Sequence, residues 1–169
     1  MGRYFSLALV IFGALVQSSL VPLLWPGDIR PDLVLIMALA WMLLAGVTEG
    51  LLWAVVGGVL QDWLNQTPTG TMALALVAAC GAALFFAGQI TRANWVLPPL
   101  IALGGTLIYY AALVVLLVII RRPMEIGYVL RSVVLPCALL NAFGMLILYR
   151  LLGVIYAIAR PNRIGLSGG

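Results

Sequence analysis

Between Arg3 and Asp28 the chain carries no charge, and a helix needs only about 20 residues to cross a bilayer. The run from Tyr4 to Gly27 is too long for the apolar core of a signal peptide, and no small-residue cleavage site follows it. It reads as a retained helix over 4–24. Its Leu, Ile, Val and Phe residues contribute about −4 to −7 kcal/mol to insertion, which Gln17, Ser18 and Ser19 oppose only in part. Trp25-Pro26-Gly27-Asp28 then breaks the helix at an interface. The rest of the chain has the same character: of 169 residues, 64% are apolar and 8% charged, against about 25% charged in a soluble domain. Mean hydropathy is +1.18. A soluble fold of this size would be left with a largely oily surface, so the chain belongs in a membrane. Six crossings use about 120 residues and leave about seven for each loop or terminus. That excludes a soluble domain, a receptor ectodomain or a nucleotide-binding module.

Residues 32–63 are too long for one crossing, since they would span about 48 Å against a core of about 30 Å. A break at Gly46-Val47-Thr48-Glu49 divides them, with Gly46 as C-cap, Thr48 as N-cap and Glu49 at the positive end of the following helix. The predicted helices are therefore 31–45 and 48–64. A polar turn containing Pro68-Thr69-Gly70 follows, then helices over 71–90, 97–120 and 129–158. Pro98 and Pro99 are tolerated near a helix start, and Pro136 predicts a kink. Arg150 marks the far interface, 151–158 continues as an interfacial turn, and 160–169 is a flexible tail. The expected fold class is thus an all-α polytopic membrane protein of six helices in one transmembrane domain.

The sequence has no His, which excludes Ser/His nucleophilic sites, His metal sites and imidazole relays. All nine basic residues are arginines and the net charge is +4, which suits anionic head groups but is too sparse for a nucleic-acid footprint. Cys80 and Cys137 lie in apolar spans and read as small core residues. The five acidic residues form no tight metal-ligand motif, and there is no Gly-rich phosphate loop. No catalytic residue, cofactor or metal is expected. Arg121-Arg122 are membrane-edge anchors. With the N-terminus inside, Arg3, Arg92, Arg150, Arg160 and Arg163 face Arg30, Arg121, Arg122 and Arg131 across the membrane, nearly a tie for the positive-inside rule.

The sharpest internal pattern is a row of small residues, Gly46, Gly50, Ala54 and Gly58, with Asp62 as the next member. Such a row admits a neighbouring backbone, although steps of four drift about 40° each around the helix. A second row, Thr71, Ala75, Ala79, Ala83 and Ala87, matches it across a short turn, so the two helices are expected to zip together. Asp62 is either a solvated interfacial carboxylate or a polar anchor that fixes the turn 65–70 or meets a partner's cation. Asp32 is expected to cap the helix it precedes, and Arg30 to pair with Asp28 or Asp32. Gln17, Ser18, Ser19 and Asn141 are placed to hydrogen-bond between helices.

Taken in order, Gln17-Ser18-Ser19, Arg30-Pro31-Asp32-Leu33, Gly50-Leu51-Leu52, Gly57-Gly58-Val59-Leu60-Gln61-Asp62 and Pro68-Thr69-Gly70 resemble the rod shape-determining MreD family of bacteria. The resemblance covers about residues 13–75; beyond it only length and hydropathy agree. In place of the family's usual Leu- or Phe-rich stretch before the Asp stand Trp53 and Val55-Val56. The resemblance implies a non-enzymatic protein of the inner membrane with both termini in the cytoplasm. It also implies a bundle similar to the substrate-binding subunits of energy-coupling-factor transporters. The implied partner is MreC, with RodA, its transpeptidase and MreB in a larger complex. The alternative is a small-molecule-binding subunit of a vitamin transporter, against which stands the small number of polar groups available to line a pocket. An intramembrane lipid enzyme fits least. A partner's membrane helix is expected on the lipid-facing surface, either on the exposed part of the Gly46 row or, preferred, beside Gly104-Gly105.

Overall fold

The computed structural model describes residues 2–25, 27–87, 96–120, 127 and 129–159. Every regular element among them is helical: α1 (Gly2–Ser19), α2 (Val21–Leu24), α3 (Leu33–Ala45), α4 (Val47–Leu64), α5 (Thr71–Ala87), α6 (Leu97–Ile119) and α7 (Leu135–Ala159), with a π-helical turn, Val129–Val134, ahead of α7. Three stretches, Tyr4–Leu24, Leu97–Ile119 and Arg131–Ile158, are long and apolar enough to cross a membrane, and Leu33–Ala45 and Thr71–Phe85 are shorter apolar helices. The chain is a membrane protein by this measure. The expected Arg92, Arg121, Arg122, Arg160 and Arg163, together with the tail 160–169, lie outside the described residues.

At the centre is α3. Nine consecutive residues, Val34 to Met42, are buried, and α1, α4, α5, α6 and α7 all pack against it. A helix apolar on every side has no solvent face to present and is stable only when enclosed. The other helices turn large apolar side chains outward: Tyr4, Phe12 and Leu15 on α1, Leu100 and Val115 on α6, Leu139, Phe143 and Ile147 on α7. Such faces suit lipid, where apolar exposure costs nothing.

Several boundaries differ from the sequence reading. The helix expected over 4–24 divides at Leu20, because Pro22 has no N–H to give and its ring crowds the preceding turn. The helix expected from 31 begins at Leu33, with Pro31 outside it. Thr48 is not a cap. Gly46, at φ +102°, ends α3 through its N–H to Met42 O (3.0 Å) and starts α4 by accepting from Gly50 N (3.1 Å). One glycine in a backbone region closed to L side chains joins the two helices without a spacer, so α4 starts at Val47 and Thr48 falls inside its first turn. A π-helical turn, Val129–Val134, stands just before the expected kink at Pro136, and Pro136 itself falls in the tolerant first turn of α7. α7 then continues through Arg150 to Ala159, in place of an interfacial turn over 151–158.

The two small-residue rows do not simply zip together. A Cβ at Gly50 would collide with Met42 of α3, including its Cα, whereas one at Gly58 would collide with the backbone of Ala73 in α5. The drift of the row around α4 explains this, since residues 50 and 58 are two steps apart and face different neighbours. Gly46 stands in the break with open space around it. On α6, Gly105 points inward, where a Cβ would lie 2.7 Å from Leu39 Cδ1; only Gly104 has nothing within 4 Å. Gly105 is therefore not part of an outward docking surface. Cys80 and Cys137 are buried and free.

Candidate functional site

α3 is only 13 residues long, about 20 Å against a hydrocarbon core of about 30 Å. The irregular backbone leading into its N-terminus is buried at Pro31 and Asp32, so its polar groups need partners. The orphan groups there are met by side chains from three sources. Asp32 caps the helix, its Oδ1 accepting from Leu35 N at 3.0 Å. Gln17 of α1 accepts from Leu33 N through Oε1 (2.7 Å) and donates through Nε2 to Pro31 O (3.2 Å). Asn141 of α7 accepts from Asp32 N at 2.8 Å and donates to Thr106 Oγ1 of α6 at 3.1 Å, and Thr106 in turn donates to Ala102 O at 2.6 Å. Asn141 and Thr106 are fully buried.

A cavity of about 350 Å³ opens beside this helix start. Gln17, Arg30, Asp32, Gln61, Tyr109 and Tyr110 line it, and Asp28 and Asn65, both exposed, add to its polar rim. At its inner end Asp32 and Gln61 are both buried, and Gln61 Nε2 lies 3.5 Å from Asp32 Oδ1. Among the described residues Gln61 Oε1 is buried with no hydrogen-bond partner. The rings of Tyr109 and Tyr110 meet edge to face, 5.3 Å apart. Arg30 is half-buried and donates through Nε to Gly27 O at 2.5 Å. The expected ion pair with Asp28 or Asp32 is not formed among the described residues; the local bond to Gly27 holds the guanidinium at the cavity instead. The cavity thus offers buried acceptors, aromatic rings and one cation. Sequence reading underestimated this polar content because the lining residues lie far apart in the chain.

Asp62 is neither a solvated carboxylate nor a group awaiting a cation. It is fully buried and accepts from Thr67 Oγ1 (2.8 Å), Gly70 N (2.7 Å) and Met72 N (2.9 Å). Thr67 N also donates to Asp62 O at 3.0 Å. Met72 N is one of the orphan donors of α5, so Asp62 caps that helix from the end of α4, where the helix dipole favours its charge. Pro68 O accepts from Thr71 Oγ1 (2.8 Å), and Gly70 holds φ +102°. The anchoring of the turn is the part of the Asp62 reading that the geometry carries.

At the opposite end lies a cluster that sequence reading missed. Trp41 stacks on Trp53 at 4.6 Å and meets Tyr156 edge-on. Trp41 Nε1 donates to Glu49 Oε2 (3.0 Å), and Trp53 Nε1 to Ser6 Oγ (2.5 Å). The twelve-residue separation of the two tryptophans gives no helical signal, because the turn at Gly46 lies between them.

Asn141 is the residue through which α7 and α6 reach the start of α3. Asn141→Leu is expected to destabilise the protein by about 3 kcal/mol, since it leaves Asp32 N and Thr106 Oγ1 without their partner in a dry interior. Equilibrium unfolding in mixed micelles measures this.

No protein-family model matches the chain, and no curated protein and no solved structure matches it.

Proposed function

We propose that this chain is a non-enzymatic scaffold of the bacterial wall-elongation complex, of the MreD type. In this reading it lies in the inner membrane with six spanning helices, arranged like the substrate-binding subunits of energy-coupling-factor transporters, and with both termini in the cytoplasm. It holds the single membrane helix of MreC and, through it, helps couple MreB filaments to RodA and its transpeptidase. The observation that carries the reading is that the residues of the resemblance act on one another. Gln17 ties down Pro31 and Leu33, Asp32 lies beside Gln61, Asp62 holds Thr67 and Gly70, and Gly58 admits α5. Motifs scattered over 17–70 thus make one structural unit.

The outer face of α6 is the proposed seat of the partner helix. Gly104 leaves open space there, and Leu107 is 37% exposed. Cysteines at Gly104 and Leu107 are expected to crosslink to the membrane helix of co-expressed MreC. Gly104→Leu is expected to reduce its capture while leaving the stability of the chain within about 0.5 kcal/mol. Crosslinks only to the soluble part of MreC, or capture unaffected by Gly104→Leu, would contradict this seat. Failure of MreC to co-purify at all would contradict the scaffold reading. The second reading, a vitamin-transporter subunit, is favoured by the cavity alone; it requires co-purification with an ATPase module instead.

A further inference from the structure

The cavity beside α3 has a polarity that the scaffold reading does not use. Its inner end is rich in acceptors: the Asp32 carboxylate and Gln61 Oε1, the latter 98% buried by residue and without a donor among the described residues. A buried polar atom left so costs free energy comparable to a lost hydrogen bond, and native proteins rarely leave one without a reason. Tyr109, whose hydroxyl bonds to the Asp32 carboxylate, and Tyr110 line the same cavity. Arg30 is the one positive group in the lining, and beyond its Nε bond to Gly27 O it carries no other hydrogen bond among the described residues. At about 350 Å³ the cavity is of the size that takes small ligands, about 300–1,000 Å³, and exceeds the roughly 30 Å³ share of one water many times over.

We propose that this cavity binds a small zwitterion, a primary ammonium and an anionic group a few bonds apart. The ammonium donates to Asp32 and Gln61 Oε1, and the anion rests on the guanidinium of Arg30. Of the two carboxylates in the lining, Asp28 is exposed and only Asp32 is buried, which makes a poor site for a bare metal ion, whereas a zwitterion answers both Asp32 and Arg30 at once. Two sources carry this chemistry: a free amino acid, and the head group of an aminophospholipid reached from the adjoining leaflet.

Thermal unfolding of the full chain tests both. In detergent, millimolar L-alanine and L-glutamine are compared with their N-acetylated and amidated forms. In nanodiscs, phosphatidylethanolamine is compared with phosphatidylcholine, whose quaternary ammonium has no N–H to donate. A rise in melting temperature with the free amino acids, absent with the blocked forms, assigns the free source. A rise with phosphatidylethanolamine over phosphatidylcholine assigns the lipid. In either case Arg30→Gln, which removes one bond at the cavity mouth, is expected to keep the unliganded melting temperature and weaken binding about tenfold or more. Gln61→Met is expected to weaken binding of the ammonium while keeping side-chain bulk. Stabilisation by no probe, or equal stabilisation by blocked and unblocked forms, would overturn the proposal and leave water as the occupant. Capture of MreC does not enter these readouts, so the scaffold reading and the zwitterion site fail separately.

Discussion

Asp62→Ala is expected to destabilise the protein by about 3–5 kcal/mol, the largest effect of any single polar substitution in the chain. Three donors converge on this carboxylate, and two of them are backbone N–H groups at Gly70 and Met72. Backbone donors cannot be moved to another partner without disturbing the turn. The loss has two parts: the α5 helix start loses its acceptor, and the turn 65–70 loses the anchor that joins α4 to α5. Asp62→Asn keeps one acceptor oxygen but sets an NH₂ against N–H donors, and an intermediate loss of about 1–2 kcal/mol is expected. Unfolding of both variants in mixed micelles orders them. Equal stability of Asp62→Ala and the parent would mean that the carboxylate is solvated after all.

Gly58→Leu is expected to be as severe, about 3 kcal/mol or outright failure to fold, because the obstacle is backbone. A Cβ at this position would collide with the Cα and N of Ala73, so no rotamer of a neighbour relieves it, and α4 and α5 must separate. The smaller Gly58→Ala already meets the same atoms. Gly81→Ala, with nothing within 4 Å of its added carbon, is the matched control and is expected to stabilise the helix by about 0.5–1 kcal/mol. A melting temperature unchanged in Gly58→Leu would show that the close approach does not exist.

Positions that obey a local rule were legible before the fold was known. Asp32 as N-cap, the break at Gly46, the turn through Pro68 and Gly70, and a close approach at Gly58 each follow from a residue type and its immediate neighbours. Thr48 misled because a cap residue was available but the glycine before it already served both helices. Gly105 misled because a pair of adjacent glycines says nothing of which faces the core; adjacent helical positions are about 100° apart, and Gly104 and Gly105 point to different surroundings.

Helical structure, membrane character, most helix boundaries and the caps at Asp32 and Gly46 are written in the residues alone. Those properties come from side chains acting on their own stretch of backbone or on the surrounding lipid. That α3 is the enclosed central helix, that Gln17 and Asn141 serve its N-terminus, and that Arg30, Asp32, Gln61 and Tyr109 line one cavity emerges from the packing alone. The physical reason lies in the solvent. Lipid is as apolar as the packing surfaces, so hydrophobicity inserts each helix without choosing its neighbours. The choice falls to steric fit at a few glycines and to buried hydrogen bonds such as that between Asp32 and Asn141, 109 residues apart in the chain.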